Sequence, residues 1–146
     1  MDRKIFIKTC GLTCMGSSLL SVLLESCASS NYFAQTSITK DRITVRLSEF
    51  IKITKGKTIQ LKYILVRHDK FNYPICIYKL NEENYSALLM QCTHKGCELQ
   101  AQGSFLICPC HGSEFNSLGV VQNPPAEQNL QIFKTSIDNE NIYLYI

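Results

Sequence analysis

Two short motifs rich in cysteine and histidine constrain this chain more than any other feature. The first, CTHKGC, occupies residues 92–97, and the second, CPCHGS, occupies residues 108–113. Each motif holds a histidine at a short offset from a cysteine, C-x-H in the first and C-x-x-H in the second. Thiolate and imidazole groups at such spacings are typical metal ligands, so the two motifs indicate a metal site.

Three kinds of site compete for these side chains. A framework of disulfides uses the cysteines and leaves both histidines without a role. A tetrahedral zinc site needs only four ligands and leaves two of the six candidate residues over. A 2Fe-2S cluster held by two thiolates and two imidazoles also leaves two cysteines, which are free to form a disulfide. The pattern favours a metal over disulfides alone, with zinc kept as a rival to iron and sulfur.

The rest of the chain reads as strand after strand from residue 43 onward. Apolar and polar residues alternate between turn signals such as Lys55-Gly56, and no stretch of a dozen residues keeps a helical period with caps. An all-β domain over residues 43–146 is therefore expected. The predicted strands are ITVRL, KTIQLKYILV, YPICIYKL, YSALLMQC, EFNSLGVV, LQIFKTSI and IYLYI.

The N-terminus has the layout of an export signal. Positively charged residues open the chain and an uncharged, mostly apolar run follows, so residues 1–26 are expected to be a cleaved signal. The run ends in LLESCAS, which resembles the lipobox of bacterial lipoproteins and makes Cys27 the expected lipid attachment site. Ordinary cleavage or an uncleaved anchor are the alternatives. Residues 27–42, rich in Ser and Thr, are expected to be a flexible tether.

The charge balance bears on the partners of the chain. Lys and Arg number 15 against 12 Asp and Glu, a formal net charge of +3, and no basic run is interleaved with aromatic residues. Nucleic acid is therefore not an expected partner. The 8 cysteines suit an exported protein that holds a metal and a disulfide.

Taken with the strands, the motifs resemble those of the Rieske iron-sulfur proteins. The resemblance covers residues 43–146: strands, CTHKGC, a short hairpin, CPCHGSEF, GVV, a proline loop and two final strands. It implies a Rieske-type fold of antiparallel sheets, with two cluster-binding loops at one tip and a 2Fe-2S cluster as the cofactor.

The resemblance also assigns roles to the six motif residues. It implies that Cys92, His94, Cys108 and His111 are the cluster ligands. It further implies a disulfide between Cys97 and Cys110, of the type found in cytochrome bc complexes. No independent catalytic residues are expected.

Other positions match residues that tune or cover the cluster in the family. Ser113 matches a serine whose hydroxyl bonds a bridging sulfide, Gly112 lets the backbone pass close by, and Pro124 belongs to a third loop over the cluster. Phe115 stands where high-potential members carry a hydrogen-bonding tyrosine, which predicts a lower potential. Lys95 replaces an apolar residue of quinol-oxidising members, or is an ordinary solvated lysine.

The function implied by the resemblance is one-electron transfer on the outer, periplasmic side of a bacterial membrane, in a respiratory chain. The expected partners are a cytochrome or an oxidoreductase subunit, with quinol as a further candidate, and the membrane through the N-terminal lipid or anchor. The alternatives are a quinol-oxidising subunit of a cytochrome bc complex with an uncleaved anchor, a small subunit of a molybdenum oxidoreductase such as arsenite oxidase, and a zinc-holding binding module.

Overall fold

Strands make up almost all regular structure in residues 32–146, the part of the chain that the computed structural model describes. Within that range one 3₁₀ helix, Leu47–Phe50, is the only helical element, so the all-β prediction is confirmed. No helix there is long and apolar enough to cross a bilayer. The strands are β1 (Thr36–Thr39), β2 (Arg42–Arg46), β3 (Ile51–Thr54), β4 (Lys57–Gln60), β5 (Tyr63–Val66), β6 (Ile75–Lys79), β7 (Tyr85–Leu89), β8 (Gln100–Gln102), β9 (Phe105–Ile107), β10 (Glu114–Asn116), β11 (Val121–Asn123), β12 (Ile132–Ile137) and β13 (Asn141–Tyr145).

Seven strands form one antiparallel sheet in the order β1-β2-β13-β12-β7-β6-β5, here called the scaffold sheet. The first described residues link its two edge strands, β5 and β1. The backbone N–H of Ala34 donates to the Leu65 carbonyl at 2.8 Å, and the N–H of Leu65 donates to the Tyr32 carbonyl at 2.9 Å. Because the same segment then continues into β1, the strand at the other edge, it links the two edges and closes the sheet.

This segment differs from the predicted tether. Residues 32–42 were expected to be flexible, but they contain a bridge to β5, all of β1 and the start of β2. Tyr32 and Ala34 pack against the scaffold core, and β-branched residues such as Thr36 and Thr39 suit an extended strand whose backbone is paired. The compact domain therefore begins before Ile43. The predicted signal, Cys27 and the rest of the tether lie outside the described residues.

Four strands, in the order β11-β10-β9-β8, form a second antiparallel sheet, here called the small sheet. Strands β5 to β7 of the scaffold sheet lie between two cores. Ile64 and Ile77 face the scaffold core, whereas Leu65 and Leu88 face a second core that they share with the small sheet. Burial on both faces explains why these strands read as nearly continuous apolar runs.

A third element, the β3–β4 hairpin, turns at Lys55–Gly56. The sequence predicted one long strand over 57–66, but the structure divides it into β4 and β5. The division falls where the Leu61 N–H donates to the Phe50 carbonyl at 2.8 Å and its side chain packs on the scaffold core.

Candidate metal centre

The first motif forms a tight loop between β7 and β8, here called loop 1. The Cys92 N–H donates to the Cys97 carbonyl at 2.8 Å, and the Gly96 N–H donates back to the Cys92 carbonyl at 2.8 Å. Gly96 has a φ of 74°, a left-handed conformation that costs glycine no steric clash. The loop is thereby fixed by its own backbone.

The second motif, loop 2, repeats this pattern between β9 and β10. The Cys108 N–H donates to the Ser113 carbonyl at 2.8 Å, and the Gly112 N–H donates to the Cys108 carbonyl at 3.0 Å. Gly112 also has a left-handed φ, of 78°. The two loops are thus copies of one turn, and each begins with a cysteine, Cys92 or Cys108.

A disulfide between Cys97 and Cys110 ties the two loops together, as the resemblance implies. The sulfur of Cys108 lies within 4.8 Å of both disulfide sulfurs. These three sulfurs do not form a metal site, because two of them are bonded to each other. Only Cys108 among them keeps a thiol.

Three cysteines of the described residues are free, and their surroundings distinguish the two in the loops from the third. Cys92 and Cys108 are each 2% exposed and begin the two loops. Cys76 lies on β6 in the second core, where burial raises the pKa of its thiol and keeps it protonated. Cys76 is therefore a buried packing residue of β6.

The two motif histidines meet at the ends of the loops. The rings of His94 and His111 pack edge to face with centroids 4.8 Å apart. The Nδ1 atom of His94 is buried without a hydrogen-bond partner, the only such side-chain atom within the described range. An unpartnered buried nitrogen is costly, so a partner outside the polypeptide is expected there.

The arrangement of these thiol and imidazole groups distinguishes a zinc site from a two-iron cluster. Zinc requires four donors that converge on one ion. Among residues 32–146, the only group of three donor atoms within 4.8 Å of one another consists of the sulfurs of Cys97, Cys108 and Cys110. Two of these sulfurs are bonded to each other in the disulfide. Two buried thiols and two imidazoles on paired loops fit instead a two-iron cluster, which spreads its ligands over two metals. Fold and site together define an iron-sulfur protein.

A third loop, which follows β11 and contains Pro124, is bonded to loop 2. The Asn123 side-chain amide donates to the Gly112 carbonyl at 3.3 Å. The Ser113 hydroxyl, fully buried, accepts the backbone N–H of Ala126 at 3.0 Å. Since this contact uses the oxygen as acceptor, the hydroxyl hydrogen of Ser113 keeps the capacity to donate.

The remaining tuning candidates have different environments. Thr93 of loop 1 donates its hydroxyl hydrogen to the Gln128 carbonyl at 2.6 Å, a link that sequence reasoning missed because 35 residues separate the partners. Phe115 is 0% exposed and belongs to the second core, where its ring offers no hydrogen-bond donor. Lys95 is exposed at the outside of loop 1.

Comparison with known proteins gives the family. Residues 49–134 match the family described as Rieske [2Fe-2S] domain. This match covers more than half of the chain and includes both loops. The chain belongs to the Rieske [2Fe-2S] domain family, and its cofactor is a 2Fe-2S cluster.

Individual relatives match over shorter stretches. The chain is 36% identical over 55 residues to the cytochrome b6-f complex iron-sulfur subunit of Prochlorococcus marinus (strain MIT 9303), covering 36% of this chain and 31% of that one. It is 40% identical over 57 residues to the ubiquinol-cytochrome c reductase iron-sulfur subunit of Rickettsia typhi (strain ATCC VR-144 / Wilmington), covering 37% and 32%. These alignments span about a third of the length of the curated relatives they match.

A solved structure extends the likeness to the fold. The crystal structure of the cyanobacterial plasma membrane Rieske protein PetC3 from Synechocystis PCC 6803 is 28% identical to this chain. It superposes with a TM-score of 0.52 over 58% of this chain and 87% of that protein.

Proposed function

We propose that this protein transfers single electrons through its 2Fe-2S cluster on the outer side of a bacterial membrane. The observation that carries the proposal is the unpartnered, buried Nδ1 of His94 beside His111, on disulfide-tied loops that also hold two free buried thiols. Cys92 and Cys108 would hold one iron as thiolates, and His94 and His111 would hold the other as neutral imidazoles. The bound cluster would supply reversible one-electron chemistry.

The loops provide a rigid frame for this exchange. Two backbone hydrogen bonds within each loop and the Cys97–Cys110 disulfide fix the backbone that carries the four ligand residues. A frame that stays fixed when charge changes lowers the reorganisation that accompanies electron transfer. The polypeptide therefore holds the four ligand residues in the same positions before and after an electron is transferred.

Exposure indicates where a redox partner approaches. Cys92 and Cys108 are buried, whereas His111 is exposed and His94 is half-buried. The histidine side is thus the route by which electrons enter and leave. Exposed Lys95 adds a positive charge beside it, which favours a partner with an acidic docking surface.

Two buried residues adjust the potential. Rieske centres span roughly −150 to +300 mV, and donors to the cluster sulfurs move a centre upward within such a range. Ser113 supplies one donor, while Phe115 supplies none. Ser113→Ala is therefore expected to lower the midpoint potential and Phe115→Tyr to raise it, as measured by EPR-monitored redox titration.

Membrane location follows from the predicted export signal and lipidated Cys27, which would tether the domain after residues 1–26 are removed. The Synechocystis neighbour supports a membrane setting, because its name places it in the plasma membrane. The acceptor would be a cytochrome or an oxidoreductase subunit. A quinol-oxidising role with an uncleaved anchor is the second candidate, supported by the name of the Rickettsia relative.

Electron transfer is tested by stopped-flow mixing of the reduced full-length protein with a soluble cytochrome c, and of the oxidised protein with a quinol. Fast reduction of cytochrome c, with slow or absent reduction by quinol, is the expected result. Rapid reduction of the cluster by quinol would favour the second candidate. A protein that contains iron and sulfide but exchanges electrons with neither would contradict both.

A further inference from the structure

The β3–β4 hairpin is the most exposed ordered element of the described chain. Its apolar side chains Ile51, Ile53 and Ile59 are 48%, 75% and 47% exposed. Strand pairing places Ile51 and Ile53 on one face of the hairpin and Ile59 on the other. The hairpin therefore presents apolar side chains to the outside on both faces.

The same hairpin is cationic. It carries Lys52, Lys55 and Lys57, and no acidic residue occurs between Glu49 and Asp69. Glu49 itself is buried, 7% exposed, and accepts hydrogen bonds from neighbouring side chains. Nothing in the hairpin's own sequence offsets the lysines, so an anionic surface is the complementary partner.

The hairpin lies at the end of the scaffold sheet opposite the metal centre. Strand register places Val66, Ile75 and Leu89 side by side at the end where β7 runs on toward Cys92. Tyr63 and its partner Tyr78 lie at the other end. The hairpin joins the sheet at that other end, because β4 leads directly into Tyr63.

The N-terminal part of the domain lies beside the base of the hairpin. The bridge at Phe33 runs parallel to β5, so Tyr32 lies on the Tyr63 side of the bridge. The Tyr32 hydroxyl also donates to the Glu49 carboxylate at 2.9 Å, and Glu49 precedes β3 by two residues. The segment that would carry the membrane tether therefore attaches next to the hairpin.

We propose that the β3–β4 hairpin docks on the anionic phospholipid surface of the membrane that anchors the chain. Ile53 would enter the boundary between headgroups and acyl chains, while Lys52, Lys55 and Lys57 would lie among the phosphates. The inference rests on the proposed membrane location. It orients the metal centre away from the bilayer, toward a soluble acceptor and not toward a quinol within the membrane.

Tryptophan fluorescence tests this directly, because the chain contains no tryptophan. Full-length Ile53→Trp protein is reconstituted into vesicles of phosphatidylcholine with phosphatidylglycerol, part of it brominated in the acyl chains. Ile132→Trp is the matched control, since Ile132 is 56% exposed on β12 of the same scaffold sheet. The expected result is blue-shifted, bromolipid-quenched emission at position 53 and unshifted, unquenched emission at position 132.

The lysines are tested in the Ile53→Trp background. A lysine close to an anionic membrane strengthens binding by about fivefold, so replacing Lys52, Lys55 and Lys57 by Gln should weaken docking by about a hundredfold. Quenching should likewise fall as salt is raised or phosphatidylglycerol is omitted. Equal, weak quenching at positions 53 and 132 would overturn the proposal, as would quenching that ignores the lysines.

The same samples separate this inference from the proposed function. An intact cluster spectrum together with an unquenched Ile53→Trp side chain would refute membrane docking alone. Lysine-dependent quenching in a chain that exchanges no electrons would refute the proposed function and leave docking supported.

Discussion

The scaffold sheet and the small sheet are stabilised in different ways. The scaffold sheet has strands of four to six residues around a core of aliphatic and aromatic side chains. Each strand of the small sheet has three residues, and its core includes the two free cysteines of the loops. Burial of apolar surface stabilises both sheets, and we expect the small sheet to depend in addition on crosslinks through the disulfide and the cluster. The site is thus built on a part of the fold that its own chemistry helps to hold.

The largest expected effect is the loss of the cluster from Cys92→Ala. Removing one thiolate leaves an iron without its ligand, so the visible and EPR signals of the cluster should disappear. Cys76→Ala is the matched control, because Cys76 is equally buried and free but lies on β6. It should keep full iron and sulfide content. Loss of the cluster in both variants would contradict the assignment.

Phe50→Ala should destabilise the scaffold sheet and leave the metal centre intact. Phe50 is 1% exposed and its ring lies 5.4 Å from that of Tyr85, so truncation should cost about 3–5 kcal/mol of unfolding free energy. Urea denaturation measures this. Phe105→Ala, at an exposed position of the small sheet, should change stability by only about 0.5 kcal/mol. The folded fraction of Phe50→Ala should keep the cluster spectrum of the parent.

Replacing Cys97 and Cys110 together by alanine should destabilise the protein by about 3 kcal/mol, since the bond closes a short loop with a sequence separation of 13. Hydrogen exchange should rise in β8 to β11 and change little in β2, β12 and β13. Uniformly faster exchange across both sheets would show that the two sheets unfold as one unit and are not stabilised in different ways.

The smallest effect concerns alkaline pH. Burial, then the nearby Cys76, raises the pKa of Tyr78 above its usual value, and its hydroxyl donates to the Phe105 carbonyl of the small sheet at 3.0 Å. Unfolded tyrosine ionises near pH 10, so this contribution to stability is complete below about pH 10 and is lost as pH rises further.

Tyr78→Phe should cost roughly 1 kcal/mol at neutral pH and flatten the decline of stability above about pH 10. Urea midpoints at several pH values measure both effects. Because burial also raises the pKa of the Cys76 thiol, the comparison is made in a Cys76→Ala background. An unchanged alkaline slope would mean that Tyr78 is already ionisable in the folded protein.

Sequence patterns predict the parts of this fold that are governed by local rules. The all-β class follows from alternation, and the family follows from the spacing of Cys and His in the two motifs. The ordered segment at Tyr32, the hairpin strand β3 and the bond from Thr93 to Gln128 are absent from these predictions. The bridge at Phe33 and the bond from Thr93 depend on partners distant in the sequence, and a polar segment such as β1 carries no apolar period to reveal its pairing. Strand β3 instead pairs with the adjacent β4, and its alternating sequence IKIT is a strand signal that could have revealed it.

We propose that His94, His111, Cys92 and Cys108 together hold one 2Fe-2S cluster. Electron-nuclear double resonance on the dithionite-reduced protein tests it most directly, because a nitrogen bound to a paramagnetic iron shows strong hyperfine coupling. Couplings from two nitrogens are expected, with one lost in His94→Cys and the other in His111→Cys, since a thiolate in place of the imidazole keeps the iron ligated. A signal without nitrogen coupling, or an EPR-silent protein that contains zinc and no sulfide, would contradict it.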